Sequence, residues 1–233
     1  MTTPRLFCFG LGYSARRLAL DLMSRGWEIA ATARQKEKVN ELKKLGINAF
    51  IFNRDQPISK LKPILRQCTH LLSSVPPDFH GDAVIEQHGE LIASMVNNFS
   101  WIGYLSTTGV YGNRNGRVVK EKDKLAPTSP RAHRRVEAEK LWMKMNAHIF
   151  RIAGIYGPGR SVLESALKGE AKRIYKPGHA FSRIHVDDLG LVISASMENP
   201  NAGAIYNVCD DEPAEPSQVV GFACKLLGID LPP

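Results

Sequence analysis

The chain is short of cysteine and of long apolar runs, and it has no surplus of acid. Its four cysteines in 233 residues, Cys8, Cys68, Cys209 and Cys224, lack the spacing of a metal site. That excludes a zinc ribbon and a disulfide scaffold, and no metal is expected. Cys8 lies in an apolar run and Cys224 on an apolar helical face, so both read as core thiols in a reducing, cytoplasmic setting. No apolar stretch nears the ~20 residues that cross a bilayer. No charged segment leads into a long apolar one at the amino terminus, so neither a membrane span nor a signal peptide is expected. Aromatic residues make up 8%, and no basic stripe is interleaved with them. The net charge of +8 is therefore not read as a nucleic-acid footprint. Part of that charge is concentrated at Arg34, Lys36 and Lys38, and part at Arg131, Arg134 and Arg135. With 43% hydrophobic residues, the chain has enough apolar material for one domain, or one domain with a small appendage.

What is present is most telling between Arg5 and Arg34, RLFCFGLGYSARRLALDLMSRGWEIAATAR. An apolar run, Leu6 to Phe9, leads into Gly10, Gly12 and Ala15. A helix-like stretch and a second apolar run, Ile29 to Ala33, follow. This is the order of a dinucleotide-binding unit. Gly10 allows the tight turn, Gly12 lets the backbone approach a pyrophosphate, and Ala15 lets the helix pack close to the strand. Tyr13, Ser14 and Ala15 open the helix, whose N–H groups and partial positive charge face the phosphates. The alternative is an ordinary strand-to-helix turn without a ligand. The tip of the second run selects the dinucleotide. An acid there would accept from the ribose 2′-hydroxyl of NAD, whereas an arginine suits a 2′-phosphate. Arg34 occupies that tip, so NADP(H) is expected over NAD(H), with NAD(H) still possible. The alternative is that Arg34 is a solvated surface charge.

Apolar strands alternate with amphipathic helices along the chain. Strands are expected near Leu6–Phe9, Ile29–Ala33, Ala49–Phe52, Leu71–Ser74, Ile102–Leu105 and His148–Ile152. Helices are expected near Ser14–Arg25, Lys36–Leu45, Ser59–Gln67, Ala83–Asn98 and Arg131–Met145. The alternation implies an α/β fold, a Rossmann-type, doubly wound parallel sheet covered on both faces. Residues 1–152 form the dinucleotide-binding part. Residues 153–233 form a mixed region that completes the sheet and builds a small C-terminal substrate lobe. Within it, a loop with Gly154, Gly157 and Gly159 precedes helices near Val162–Leu167, Val186–Met197 and Ser217–Leu227 and a strand near Ile205–Val208.

Ligands of such sheets bind outside the carboxyl ends of the strands. After the third strand, Asp55 could accept from the adenine amino group, or simply shape a turn. After the fourth, Val75 and Pro76 could flank the cofactor, or simply end the strand. After the fifth come Ser106, Thr107 and Thr108, placed to hydrogen-bond a substrate oxygen or to satisfy local backbone groups.

These segments together resemble the extended short-chain dehydrogenase/reductases, the NAD-dependent epimerase/dehydratase group. The resemblance covers nearly the whole chain. It is carried by the turn at Gly10–Ala15, LSTTGVYG at Leu105–Gly112, RIAGIYGPGR at Arg151–Arg160, RIHVDDLG at Arg183–Gly190 and YNVCDDEP at Tyr206–Pro213. It implies a nicotinamide cofactor and a small-molecule substrate such as a nucleotide sugar. It also matches Thr107 to the hydroxyl that orients the reacting oxygen. Asp187 and Asp188 match an acidic pair between cofactor domain and substrate lobe, or else cap a helix. Relatives usually carry more sequence after the last motif, so the lobe is either minimal or truncated.

One departure stands out. The group's catalytic Tyr and Lys lie four residues apart, ahead of the helical position held by Glu139. Arg131 and Arg135 hold those places. Arginine stays protonated at physiological pH and cannot be a general acid–base. Arg135 could hold a ribose hydroxyl or phosphate, and Arg131 could clamp a substrate carboxylate or phosphate. The alternative for both is a solvated helix face. Tyr111 and Tyr156, in loops expected to border the site, are the remaining proton donors, unless they only pack. His133 would point elsewhere on the helix. Two functions stay open. One is an NADP-dependent, epimerase-like oxidoreductase of the atypical branch acting on a small anionic or sugar-nucleotide-like substrate. The other is a non-catalytic NADP-binding sensor or interaction protein. A homodimer is compatible with either.

Overall fold

The computed structural model describes residues 3–232. Its centre is a parallel sheet of seven strands: β1 (Arg5–Phe9), β2 (Glu28–Ala33), β3 (Asn48–Ile51), β4 (His70–Ser73), β5 (Trp101–Thr107), β6 (His148–Ile152) and β9 (Ile205–Val208). Their spatial order is β3-β2-β1-β4-β5-β6-β9, and every neighbouring pair is parallel. The sheet is buried on both sides, which explains the apolar strand sequences. In β1, Leu6 and Cys8 join one core and Phe7 and Phe9 the other. The first core is covered by α1 (Tyr13–Ser24), α2 (Lys36–Lys44) and α7 (Val186–Glu198), the second by α3 (Leu61–Leu65), α4 (Ala83–Ser94) and α5 (Pro130–Met143). This is the doubly wound architecture expected from the alternation of strands and helices.

The differences from the sequence reading are local. The helix expected over Ser59–Gln67 is only Leu61–Leu65, because Pro63 is tolerated only in a helix's first turn. α4 stops at Ser94, and Val96–Asn98 form a separate 3-10 turn. β5 runs two residues further than expected, to Thr107, in register with Ile152. A short parallel pair, β7 (Gly154–Tyr156) with β8 (Arg183–His185), occupies what reads as a glycine loop. Three-residue strands with exposed glycine carry no pattern to detect. A smaller apolar cluster joins α6 (Val162–Leu167) to α8 (Pro216–Leu227) through Ala166, Val220 and Cys224. No helix among the described residues is long and apolar enough to cross a membrane.

Candidate functional site

Strand order reverses between β1 and β4, which opens a crevice at their carboxyl ends. The turn after β1 is fixed at that point. Gly10 has φ +79°, and a Cβ there would lie 2.9 Å from Val75 Cγ2. Its N–H donates to Thr32 Oγ1 at 2.8 Å, and Leu11 N–H donates to Thr32 O at 2.9 Å. The Ser74 hydroxyl donates to Gly10 O, so β2 and β4 hold the turn from both sides. Gly12 is the N-cap of α1, with ordinary φ −83°. A Cβ on it would meet nothing within 4 Å, so its backbone faces open space. The helix has no side-chain cap and no acid in its first turn. Its first backbone bond is Arg16 N–H to Gly12 O at 2.8 Å. The N–H groups of Tyr13, Ser14 and Ala15 therefore precede any intrahelical acceptor and remain for an anion. Ala15 is 1% exposed against the sheet. This cradle fits a pyrophosphate.

Tyr13 does something the sequence did not suggest. Its hydroxyl donates to Pro158 O at 3.1 Å, and Arg160 lies over its ring at 5.8 Å. It thereby ties the glycine turn to the hairpin Gly157–Arg160. The same ends are joined again by Arg17, which donates to both oxygens of Asp187 at 2.5 and 3.2 Å. Asp187 is thus an ion-pair partner in the first turn of α7, whose cap is the His185 ring accepting from Asp187 N–H at 3.3 Å.

Arg34 follows the last residue of β2, exposed and without an ion pair or hydrogen-bond partner among the described residues. Lys38, by contrast, is engaged with Glu41 at 2.6 Å. Asp55 is exposed in a turn in which its N–H donates to Asn53 Oδ1 at 3.0 Å. Beside it Arg54 grips Asp78 at 2.7 and 2.8 Å and also reaches Glu86 and Gly81 O. That clamp fixes the loop after β4, where Val75 is half-buried against Gly10 and Pro76 is exposed.

At the end of β5, strand alternation separates the hydroxyls. Thr107 is half-buried, and its Oγ1 accepts from Gly109 N–H at 3.2 Å. No acceptor for its own proton is found among the described residues. Ser106 points the other way and donates to Glu139. Glu139 in turn receives Arg151 at 3.3 and 2.8 Å, in an ion pair whose side chains are 2% and 4% exposed. Arg151 also donates to Tyr111 Oη at 2.8 Å and Glu121 O at 3.0 Å, and Tyr111 donates to Asn207 Oδ1 at 2.7 Å. Tyr111 is therefore 2% exposed with both hydrogen-bonding roles taken inside the protein. That corrects the expectation of a loop tyrosine open to substrate. The signal that could have found this network is Arg151 itself, a cation in the middle of HIFRI.

The two arginines in the Tyr and Lys places differ from one another. Arg131 is exposed near the start of α5 and has no partner among the described residues. Arg135 is not on a solvated face, as one of the readings above would have it. It is 7% exposed, and its Nη1 donates to Tyr104 Oη at 3.0 Å and Leu105 O at 2.9 Å. Tyr156 is exposed, with its ring edge-on to His185 at 5.2 Å. A separate cleft of about 440 Å³ lies at the opposite, amino ends of the strands, beside Trp27, Asn48 and Pro63. Its one arginine, Arg5, is taken by Gln67 and Glu28, and the cleft contains none of the residues above.

No family model matches the chain. Protein YeeZ of Escherichia coli K12 is 26% identical over 241 residues, covering 96% of this chain and 84% of that protein. Among solved structures, a conserved protein of unknown function from Silicibacter pomeroyi is 43% identical with a TM-score of 0.91, covering 99% of this chain and 81% of that one. The dTDP-glucose 4,6-dehydratase of Bacillus anthracis, in complex with NAD, is 16% identical with a TM-score of 0.82, covering 98% and 82%. The chain belongs to the same family as the Silicibacter pomeroyi protein, and its fold is that of the NAD-dependent epimerases and dehydratases of the extended short-chain dehydrogenase/reductase group.

Proposed function

We propose that this chain binds a nicotinamide dinucleotide, NADP(H) in preference to NAD(H), in the crevice between β1 and β4. On this reading it acts as an epimerase/dehydratase-like oxidoreductase on a small anionic or sugar-nucleotide-like substrate. The observation that carries the proposal is the Gly10–Ala15 turn, with Gly12 facing open space before an uncapped helix. The NAD complex of the Bacillus anthracis dehydratase, which has the same fold, adds support. Gly12, Tyr13, Ser14 and Ala15 would hold the pyrophosphate, Val75 and Pro76 would flank the nucleoside beyond it, and Asp55 would meet the adenine. When bound, the dinucleotide supplies a hydride donor or acceptor. The chain's own part is to bind and orient the substrate, with Thr107 directing its hydroxyl at a substrate oxygen and the segment 153–233 forming the substrate side.

Arg34 carries the choice of dinucleotide. A charge-assisted contact with a 2′-phosphate is worth about 1.5–3 kcal/mol, roughly tenfold to a hundredfold in affinity. Calorimetric titration of wild type and Arg34→Gln with NADPH and NADH tests this. The variant should lose about that factor for NADPH and little for NADH. Equal wild-type affinities for the two would refute the preference.

A second reading is favoured by one specific arrangement. Arg131 and Arg135 stand in the Tyr and Lys places, and Tyr111 is sealed inside the protein. A chain built this way could bind NADP(H) as a sensor without turning over a substrate. Hydride transfer from a carbinol carbon of a sugar nucleotide to NADP⁺, leaving a keto sugar and NADPH, or from NADPH to a keto-sugar nucleotide, would support the enzyme. Tight NADPH binding with no turnover of any of them would support the sensor.

A further inference from the structure

The arginines around the Gly10–Ala15 turn differ in what they touch. Arg17 gives Nε and Nη2 to the two oxygens of Asp187. Arg16 faces Glu41 of α2, whose carboxyl is held down chiefly by Lys38 and in part by Arg16. Arg34 stands at the tip of β2, on the side assigned above to the 2′-phosphate. Arg160 reaches the turn from the C-terminal segment. Its guanidinium lies over the Tyr13 ring, 5.8 Å from the ring centre. The side chain is exposed and has no hydrogen-bond or ion-pair partner among the described residues.

The backbone that carries Arg160 is firmly placed. Gly157 and Arg160 exchange both backbone hydrogen bonds, at 3.2 and 2.9 Å, around Pro158 and Gly159. Gly157 lies directly against Tyr13, since a Cβ on it would stand 2.8 Å from Tyr13 Oη. Tyr13 Oη in turn donates to Pro158 O. The neighbouring acids are engaged elsewhere: Glu164 accepts from Gly159 N–H at 2.8 Å, and Asp187 is held by Arg17. The tip of the hairpin is open, because a Cβ on Gly159, like one on Gly12, would meet nothing within 4 Å. Tyr13 thus offers an uncapped N–H to the cradle while its ring carries an unpaired guanidinium. A dinucleotide pyrophosphate is a dianion, and a helix end supplies only about half a positive charge. An exposed aromatic ring holds a cation weakly, and a phosphate oxygen is the stronger partner for a guanidinium. We propose that Arg160 supplies the side-chain cation of the pyrophosphate site, reaching from the Tyr13 ring to the phosphates when the dinucleotide binds. This role rests on the dinucleotide reading above and deepens it. The C-terminal segment then serves the cofactor as well as the substrate, and Tyr13 positions Arg160 through its ring.

The test is calorimetric titration of wild type, Arg160→Met and Arg160→Lys with NADPH, NADH and ADP-ribose. All three ligands contain the pyrophosphate, and only NADPH has the 2′-phosphate. Arg160→Met removes the charge and should lose roughly tenfold in affinity for every one of them. Arg160→Lys keeps the charge without the fork and should lose less. Without ligand both variants should melt with wild type, because the side chain is exposed and unpaired. Equal affinities in wild type and Arg160→Met overturn the assignment. So does a loss confined to NADPH, which would put Arg160 on the 2′-phosphate, or a loss that spares ADP-ribose, which would put it on the nicotinamide side. An equal loss in both variants overturns it as well, since charge would then not be what binds. A wild type that binds none of the three refutes the dinucleotide reading and the role of Arg160 with it, whereas the outcomes above refute the role alone. If a variant does not fold, a crystal structure of wild type with ADP-ribose decides. A nitrogen of Arg160 within hydrogen-bond distance of a pyrophosphate oxygen supports the proposal, and an Arg160 with no phosphate oxygen in reach overturns it.

Discussion

Gly10 and Gly12 are two residues apart, yet replacing each by alanine should damage different things. At Gly12 the backbone is ordinary, φ −83°, and the added methyl meets nothing within 4 Å. Removing glycine's freedom in the unfolded chain is worth about 0.4–1 kcal/mol. Alanine is a poorer N-cap than glycine, which costs about 0.5–1 kcal/mol in the other direction. The ligand-free protein should therefore keep its stability to within about 0.5 kcal/mol, a shift of about 1–2 °C for a domain of this size. The methyl would nevertheless stand where the pyrophosphate must approach, so NADPH affinity should fall at least about tenfold, or ~1.4 kcal/mol. At Gly10 the backbone is left-handed, φ +79°, and the methyl lies 2.9 Å from Val75 Cγ2. The conformation costs alanine roughly 1–2 kcal/mol and the crowding about 1–3 kcal/mol more. Gly10→Ala should thus melt about 5–15 °C lower before any ligand is added. Differential scanning fluorimetry without ligand, followed by calorimetric NADPH titration, separates the two effects. The reasoning is refuted if Gly12→Ala binds NADPH like wild type, or if it melts as low as Gly10→Ala.

Two further outcomes follow from buried charge. His70 lies between Trp27 at 4.6 Å and Trp101 at 6.3 Å, and burial pushes its pKa down from 6.5 to about 4. The unfolded chain takes up the proton first, so the stability His70 contributes is complete above pH 6.5 and is lost as pH falls towards 4, by about 3 kcal/mol at most. Urea unfolding of wild type and His70→Asn from pH 7.5 to 4 should show the wild type losing that extra amount, and parallel slopes would contradict it. Glu139→Ala leaves Arg151 as an unpaired buried cation and should cost about 3–5 kcal/mol in urea unfolding, whereas the apolar pair Glu139→Leu with Arg151→Met should recover much of the loss. A double variant less stable than the single one would show that the pair does more than balance charge.

The fold was legible because its signals are local and repeated. Most of the seven strands are apolar runs, since the sheet is buried on both faces, and the turns after β1, β4, β5 and β6 carry a glycine, proline or hydroxyl. The resemblance added order to those signals and located Arg131 and Arg135 in the helix after β5. What could not be read was which atoms meet across the sheet. Tyr111 belongs to a loop motif, and only the approach of β6 and β9 brings Arg151 and Asn207 onto its hydroxyl and closes it to substrate. Arg131 and Arg135 share a residue type and a helix, yet one is exposed and the other is 7% exposed. A spacing of four puts both near one helical face, but it does not say how far down that face the sheet reaches. Tyr13 reads as part of a phosphate turn, and its contact with Pro158 spans 145 residues. In each case the backbone position was foreseeable and the side chain's partner was not. Partners are set by which strand ends and helix faces the topology brings together.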